Sequence, residues 1–230
     1  MNLFSKFRIL PAAILMLGAL VYMASCRKTE DPPVVIVPPA IVRGTEKVTL
    51  VDPKTTHDKS HSNVNWSTPY MGSLSALTGR FNSFGITTFN FDESNAAGIN
   101  FEGWVYLNTP NTSEPGRDYG CLQTTFGVDT TMREQPANKI LIKTKSVTLS
   151  TTDKGYIVKF DMTFHGVTKE LTGKMFYNGH ATSGTGATLK DIYGFAFDFQ
   201  FLAKTDFLIV STNIGDQIDV KCDAIFRKTL

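Results

Sequence analysis

The chain has 230 residues, with 23 Lys and Arg against 21 Asp and Glu, and 42% of its residues are hydrophobic. That length allows one sizeable domain with appendages, and the apolar content excludes wholesale disorder. Setting aside Lys6 and Arg8, which lie in what reads as a removable leader, leaves 21 basic and 21 acidic residues and so no electrostatic footprint for nucleic acid.

Residues 1–25 read as a secretory leader. Met1 to Arg8 carries two positive charges and no acid, and Ile9 to Met23 is an apolar run interrupted by Pro11 and Gly18. The run is too short for a membrane-spanning helix, which needs about 20 apolar residues. Met23-Ala24-Ser25-Cys26 resembles the bacterial lipobox, in which the Cys becomes the lipid-bearing first residue of the mature chain. Cys26 is therefore expected to anchor the protein to a membrane of the cell envelope, facing the periplasm or the cell surface. Residues 26–47 then form a spacer, with Pro32-Pro33 and Pro38-Pro39 favouring an extended polyproline course. Val34–Val37 is the one segment there that could make a short strand.

Residues 48–230 read as one all-β domain. Apolar residues alternate with polar ones in Ile99-Phe101-Gly103-Val105-Leu107 and in Tyr156-Val158-Phe160-Met162-Phe164. They do so again in Tyr193-Phe195-Phe197-Phe199-Phe201 and in Ile218-Val220-Cys222-Ala224-Phe226. Such alternation is the pattern of antiparallel strands with one buried and one solvated face. Weaker strands are expected at Val64–Thr68, Leu77–Phe84, Thr87–Phe91, Lys139–Leu149 and Leu171–Tyr177, giving eight to nine in all. Only Arg117–Phe126 has a helical character. So many alternating strands mean a sandwich or a closed barrel, and the 17 Phe suit either a packed core or the wall of a cavity.

Motifs for chemistry are weak. His57 and His61 have the i, i+4 spacing of helical metal ligands, but the segment has no helical period and no Glu follows the first His. His165 sits directly after a strand and reads as part of a turn. Gly179–Thr188 lacks the Lys-Ser/Thr of a phosphate loop and reads as a hairpin loop. No GxSxG elbow and no CxxC spacing occur, so no catalytic residue, metal site or cofactor is assigned. Cys121 and Cys222 could pair in an exported protein or stand as small buried hydrophobes.

Several short motifs in order resemble the YceI-like, or polyisoprenoid-binding, family. They are Ser62-x-Val64-x-Trp66, Gly79-Arg80-Phe81-Asn82-Ser83-Phe84 and Arg117-Asp118-Tyr119-x-x-Leu122, followed by Phe164-His165-Gly166-Val167-Thr168-Lys169. Thr205-Asp206-Phe207 and Ile214-Gly215-Asp216-Gln217-Ile218 complete the series. The resemblance implies an eight-stranded antiparallel, lipocalin-like barrel with a short helix, binding an isoprenoid or other long-chain amphiphile without catalysis. In such a barrel the alternation sends Ile99, Phe101, Val105, Phe160, Phe164, Phe195, Phe197, Phe199, Val220 and Phe226 to one lumen. Trp66 and Phe81, from the resembling motifs, join them as ligand-binding residues. Arg80 and Lys169 are placed as contacts for a polar head at the mouth. The competing reading is a structural envelope lipoprotein whose own Phe rings fill the barrel, and a homodimer stays open.

Overall fold

The alternating stretches form the strands of one antiparallel sheet. The computed structural model describes residues 41–72, 74–128 and 136–230, so the leader, Cys26 and Val34–Val37 lie outside the described residues. The strands are β1 (Lys47–Thr49), β2 (Thr55–His57), β3 (Asn63–Tyr70), β4 (Ser75–Phe81), β5 (Phe84–Asp92) and β6 (Asn100–Tyr106). They continue with β7 (Pro110–Asn111), β8 (Lys139–Leu149), β9 (Tyr156–Phe164), β10 (Val167–Ser183), β11 (Lys190–Leu202) and β12 (Gln217–Thr229). Their order in the sheet is β1-β5-β6-β8-β9-β10-β11-β12-β3-β4-β7, with β2 also paired to β12.

β4 and β5 are consecutive but unpaired, because the chain turns a corner at Asn82-Ser83. The corner is tied down by Asn82 N–H to Thr109 O (2.9 Å) and Tyr106 N–H to Ser83 O (2.9 Å). It links opposite parts of the curled sheet, so β4 and β5 act as one bent strand among eight long ones. The extra segments β1, β2 and β7 account for the difference from the expected eight to nine strands. Among the described residues no ladder joins β5 to β2, β3 or β12, which leaves a seam in the barrel wall.

Three bulges explain why some strands were weak in the sequence. An extra residue opposite one partner residue flips which side chains face inward. The register shifts at Thr87 in β5, at Lys145 in β8 and at Asn178 in β10. Phe84 and Ile86 therefore face inward before the β5 bulge, and Phe89 and Phe91 after it. β10 runs on to Ser183 past the bulge, where Gly179 takes φ +109, so the hairpin loop is shorter than the expected Gly179–Thr188. The strand expected at Leu77–Phe84 is split by the Asn82-Ser83 corner.

The expected helical segment is present: a π-helical turn over Arg117–Leu122 continues into an α-helix over Gln123–Phe126, ended by left-handed Gly127. A second short helix, Ala203–Phe207, follows β11. Near the start of the described chain, Arg43 donates to Gly155 O (3.0 Å), and its guanidinium stacks 4.5 Å from the Tyr156 ring centre. Arg43 is thus held against the β8–β9 turn. The core is aromatic, with Phe91, Tyr156, Phe160, Phe164, Phe207 and Phe226 almost fully buried. Each such ring contributes on the order of 1.5–3 kcal/mol of burial free energy.

Candidate functional site

Inward-facing side chains of all eight long strands surround an apolar cavity. Its wall includes Trp66 of β3, Phe81 of β4, Phe84, Ile86 and Phe89 of β5, and Phe101 and Val105 of β6. Ile140 and Ile142 of β8, Met162 and Phe164 of β9 and Met175 of β10 continue it. β11 supplies Phe195, Phe197, Phe199 and Phe201, and β12 supplies Ile218, Val220, Cys222 and Ala224. The cavity has a volume of about 140 Å³ and opens to solvent. Water in such an apolar void finds few polar partners.

β11 presents a ladder of four rings along the wall, Phe195, Phe197, Phe199 and Phe201. Phe197 lies 5.3 Å from Phe199 and 5.1 Å edge-on to Phe101. The Phe197 ring sits over Gly173, where a Cβ would come within 2.6 Å of it, so glycine is what lets the ring lie flat against β10.

Of the twelve residues expected to line a lumen, nine do: Trp66, Phe81, Phe101, Val105, Phe164, Phe195, Phe197, Phe199 and Val220. Ile99, Phe160 and Phe226 also face inward but are packed among other side chains rather than on the cavity wall. Phe226 stacks on Phe89 at 4.1 Å, and Phe160 meets Phe197 and Phe199 edge-on at 5.3 and 5.0 Å. Alternation sets the face of a strand, not the position along the barrel axis. Phe126, Ile209 and Ile214, which come from loops and a short helix, complete the wall and carry no periodic signal. Arg80 and Lys169 are both exposed and neither lines the cavity.

Polar atoms on this wall are few. Among the described residues Asp223 is the only Asp, Glu, Lys or Arg that borders the cavity, and it is exposed on the outward face of β12. The indole Nε1 of Trp66 and the imidazole Nδ1 of His57 are buried without a hydrogen-bond partner. His57 lies beside the seam, 6.2 Å from the Phe84 ring and 5.6 Å from the Phe226 ring. Burial lowers its pKa to about 4, so it is neutral at pH 7. His61 turns elsewhere and pairs with Asp58 at 2.8 Å. Cys121 and Cys222 are both free thiols; Cys121 is exposed, and burial pushes the Cys222 thiol up to about 12.

The remaining motif residues hold the frame of the site. Asp118 is buried and accepts hydrogen bonds from Thr112 N–H (2.9 Å) and Thr112 Oγ1 (2.7 Å), fixing the helix to the strand end. Asp216 accepts from Lys204 N–H (2.7 Å) and Thr205 N–H (3.1 Å), capping the short helix that follows β11. His165 and Gly166 take φ +49 and +76 between Phe164 and Val167, the two left-handed residues of a tight hairpin turn.

A family model described as the YceI-like domain matches residues 56–226. Among solved structures, BcnA from Burkholderia cenocepacia is similar with a TM-score of 0.55 and 14% identity, over 74% of this chain and 99% of that one. A YceI protein of Campylobacter jejuni is similar with a TM-score of 0.52 and 18% identity, over 76% of this chain and 98% of that one. At these identities the likeness carries the fold alone. No curated protein matches.

Proposed function

The chain belongs to the YceI-like family, and we propose that its barrel binds a long apolar chain, an isoprenoid or similar lipid, without chemical change. One observation carries this reading: an apolar cavity bounded by every long strand, with nine of the expected lumen residues on its wall. A wall of this kind suits a hydrocarbon tail and offers a sugar or nucleotide almost nothing to bond with. Each buried CH₂ contributes about 0.8 kcal/mol, so about ten carbons gain enough to offset much of the lost freedom of a bound chain.

The 140 Å³ of room is close to the roughly 150 Å³ apolar cavity that admits benzene in an engineered protein. Seating a longer chain therefore requires rings of the β11 ladder to change rotamer, with half-buried Phe199 the least confined of them. The same small volume supports the competing reading of a self-filled structural domain. We further propose that Cys26 carries the lipid anchor and places the barrel at the envelope, on the strength of the leader and its lipobox-like end. Replacing Phe197 by Glu tests the binding reading, because an unpaired buried carboxylate is costly. Purified Phe197→Glu should fold and lose its co-purifying lipid; lipid retained at the wild-type level would refute lumen binding.

A further inference from the structure

The hydrogen bonds around His57 fix its tautomer. Ser62 Oγ donates its single proton to Asp58 O at 2.7 Å and accepts from Ile225 N–H at 2.9 Å. Its contact with His57 Nε2, at 3.1 Å, can then be made only with the imidazole donating. His57 is therefore the neutral Nε2–H tautomer, and its Nδ1 keeps a lone pair. That lone pair belongs to a buried atom on a cavity-lining residue and has no partner. Buried acceptors are rarely left unmade in folded proteins, so this one is a specific demand for a donor. Its aromatic neighbours are the rings of Phe84 and Phe226, 6.2 and 5.6 Å from the imidazole.

Charge narrows the donor's source. Among the described residues no Lys or Arg lines the cavity; Lys59 acts on His57 only from the exposed surface, and Asp223 is itself exposed on the outward face of its strand. A phosphate or free carboxylate entering here would leave water with no cation on the described wall to pair with, at the cost that buried charges carry. An ammonium would leave His57 as one of few acceptors for three donors in an otherwise apolar wall. A hydroxyl has one proton to give and no charge to bury.

We propose that His57 Nδ1 accepts a hydrogen bond from the hydroxyl of an uncharged long-chain alcohol bound in the cavity. This deepens the lipid-binding reading and rests on it. The alcohol's tail lies along the β11 ring ladder, and its head sits beside the seam between β5 and β2. The hydrogen bond selects among chains of equal length, while the tail supplies most of the affinity.

The test uses the delipidated full chain with three probes: geranylgeraniol, its methyl ether and its diphosphate. The alcohol should bind about two- to tenfold tighter than the ether, the range of one net hydrogen bond, and the diphosphate should bind weakest. In His57→Phe the alcohol and ether should bind equally. The wild-type comparison stands even where the variant fails to fold. Equal binding of alcohol and ether to the wild type, or tightest binding of the diphosphate, overturns the role of His57 while leaving lipid binding in place. Failure of both alcohol and ether to bind overturns the lipid-binding reading itself, and this one with it.

Discussion

The imidazole Nε2 of His165 donates a hydrogen bond to the main-chain oxygen of Phe126, joining the tip of the β9–β10 hairpin to the end of the helical segment. The Phe126 ring lines the cavity, 6.4 Å edge-on to Trp66 and 6.3 Å from Phe81. A turn residue thus positions a wall residue that is 39 positions away in the chain. The left-handed conformation of His165 is what aims its ring at the helix.

His165→Asn separates the turn from the tie. Asn-Gly suits a two-residue turn with both residues left-handed, so the hairpin should persist. Amide exchange over residues 117–126 should become faster, while β9 and β10 keep their protection, because about 1 kcal/mol of local holding is removed. Unchanged exchange in the helical segment would show that the hydrogen bond does not hold it.

Two rings on the same face should differ in what they contribute. Phe160 is fully buried among other rings, so Phe160→Ala should cost about 3–5 kcal/mol in urea unfolding. Phe199 is half-buried beside existing free space, so Phe199→Ala should cost clearly less. Equal losses would mean that the space next to Phe199 is not a cavity in solution.

Acid should expose the burial of His57. Its pKa falls from 6.5 to about 4 in the folded protein, so between those values the unfolded chain binds more protons. Stability from this group is complete above about pH 6.5 and is lost as the pH falls toward 4. His57→Phe should flatten the unfolding midpoint over that interval when compared with the wild type. Identical slopes in both proteins would place the imidazole in water.

Strands with unbroken alternation were legible from the residues alone, and β9, β11 and β12 lie where Tyr156–Phe164, Tyr193–Phe201 and Ile218–Phe226 indicated. β5 was partly hidden because the bulge at Thr87 reverses the inward phase within one strand, whereas β8 spans the expected Lys139–Leu149 although the bulge at Lys145 breaks its alternation. The cavity was legible only as a set of inward faces. Which rings border space and which fill the barrel depends on distance along the axis, so Phe197 and Phe160 look alike in sequence and differ in place. Ile209 and Ile214 reach the wall from a loop closed by Asp216, a contact that no local pattern encodes. The demand made by His57 Nδ1 was likewise invisible, since it follows from where the single Ser62 hydroxyl proton goes.

The proposed anchor makes its own forecast. Cys26→Ser should move the protein from the membrane fraction to the soluble fraction, because the lipid chains that give stable attachment would be lost. Sedimentation of the variant with membranes after a salt wash would exclude Cys26 as the anchor.

Mass spectrometry of an organic extract from natively purified full chain addresses lipid binding most directly. The account predicts a long-chain apolar molecule in near one-to-one amount with protein, present in the wild type and depleted from Phe197→Glu. An extract with no such molecule, together with failure of the delipidated protein to take up isoprenoid or fatty-chain probes, would contradict it and leave a barrel filled by its own phenylalanines.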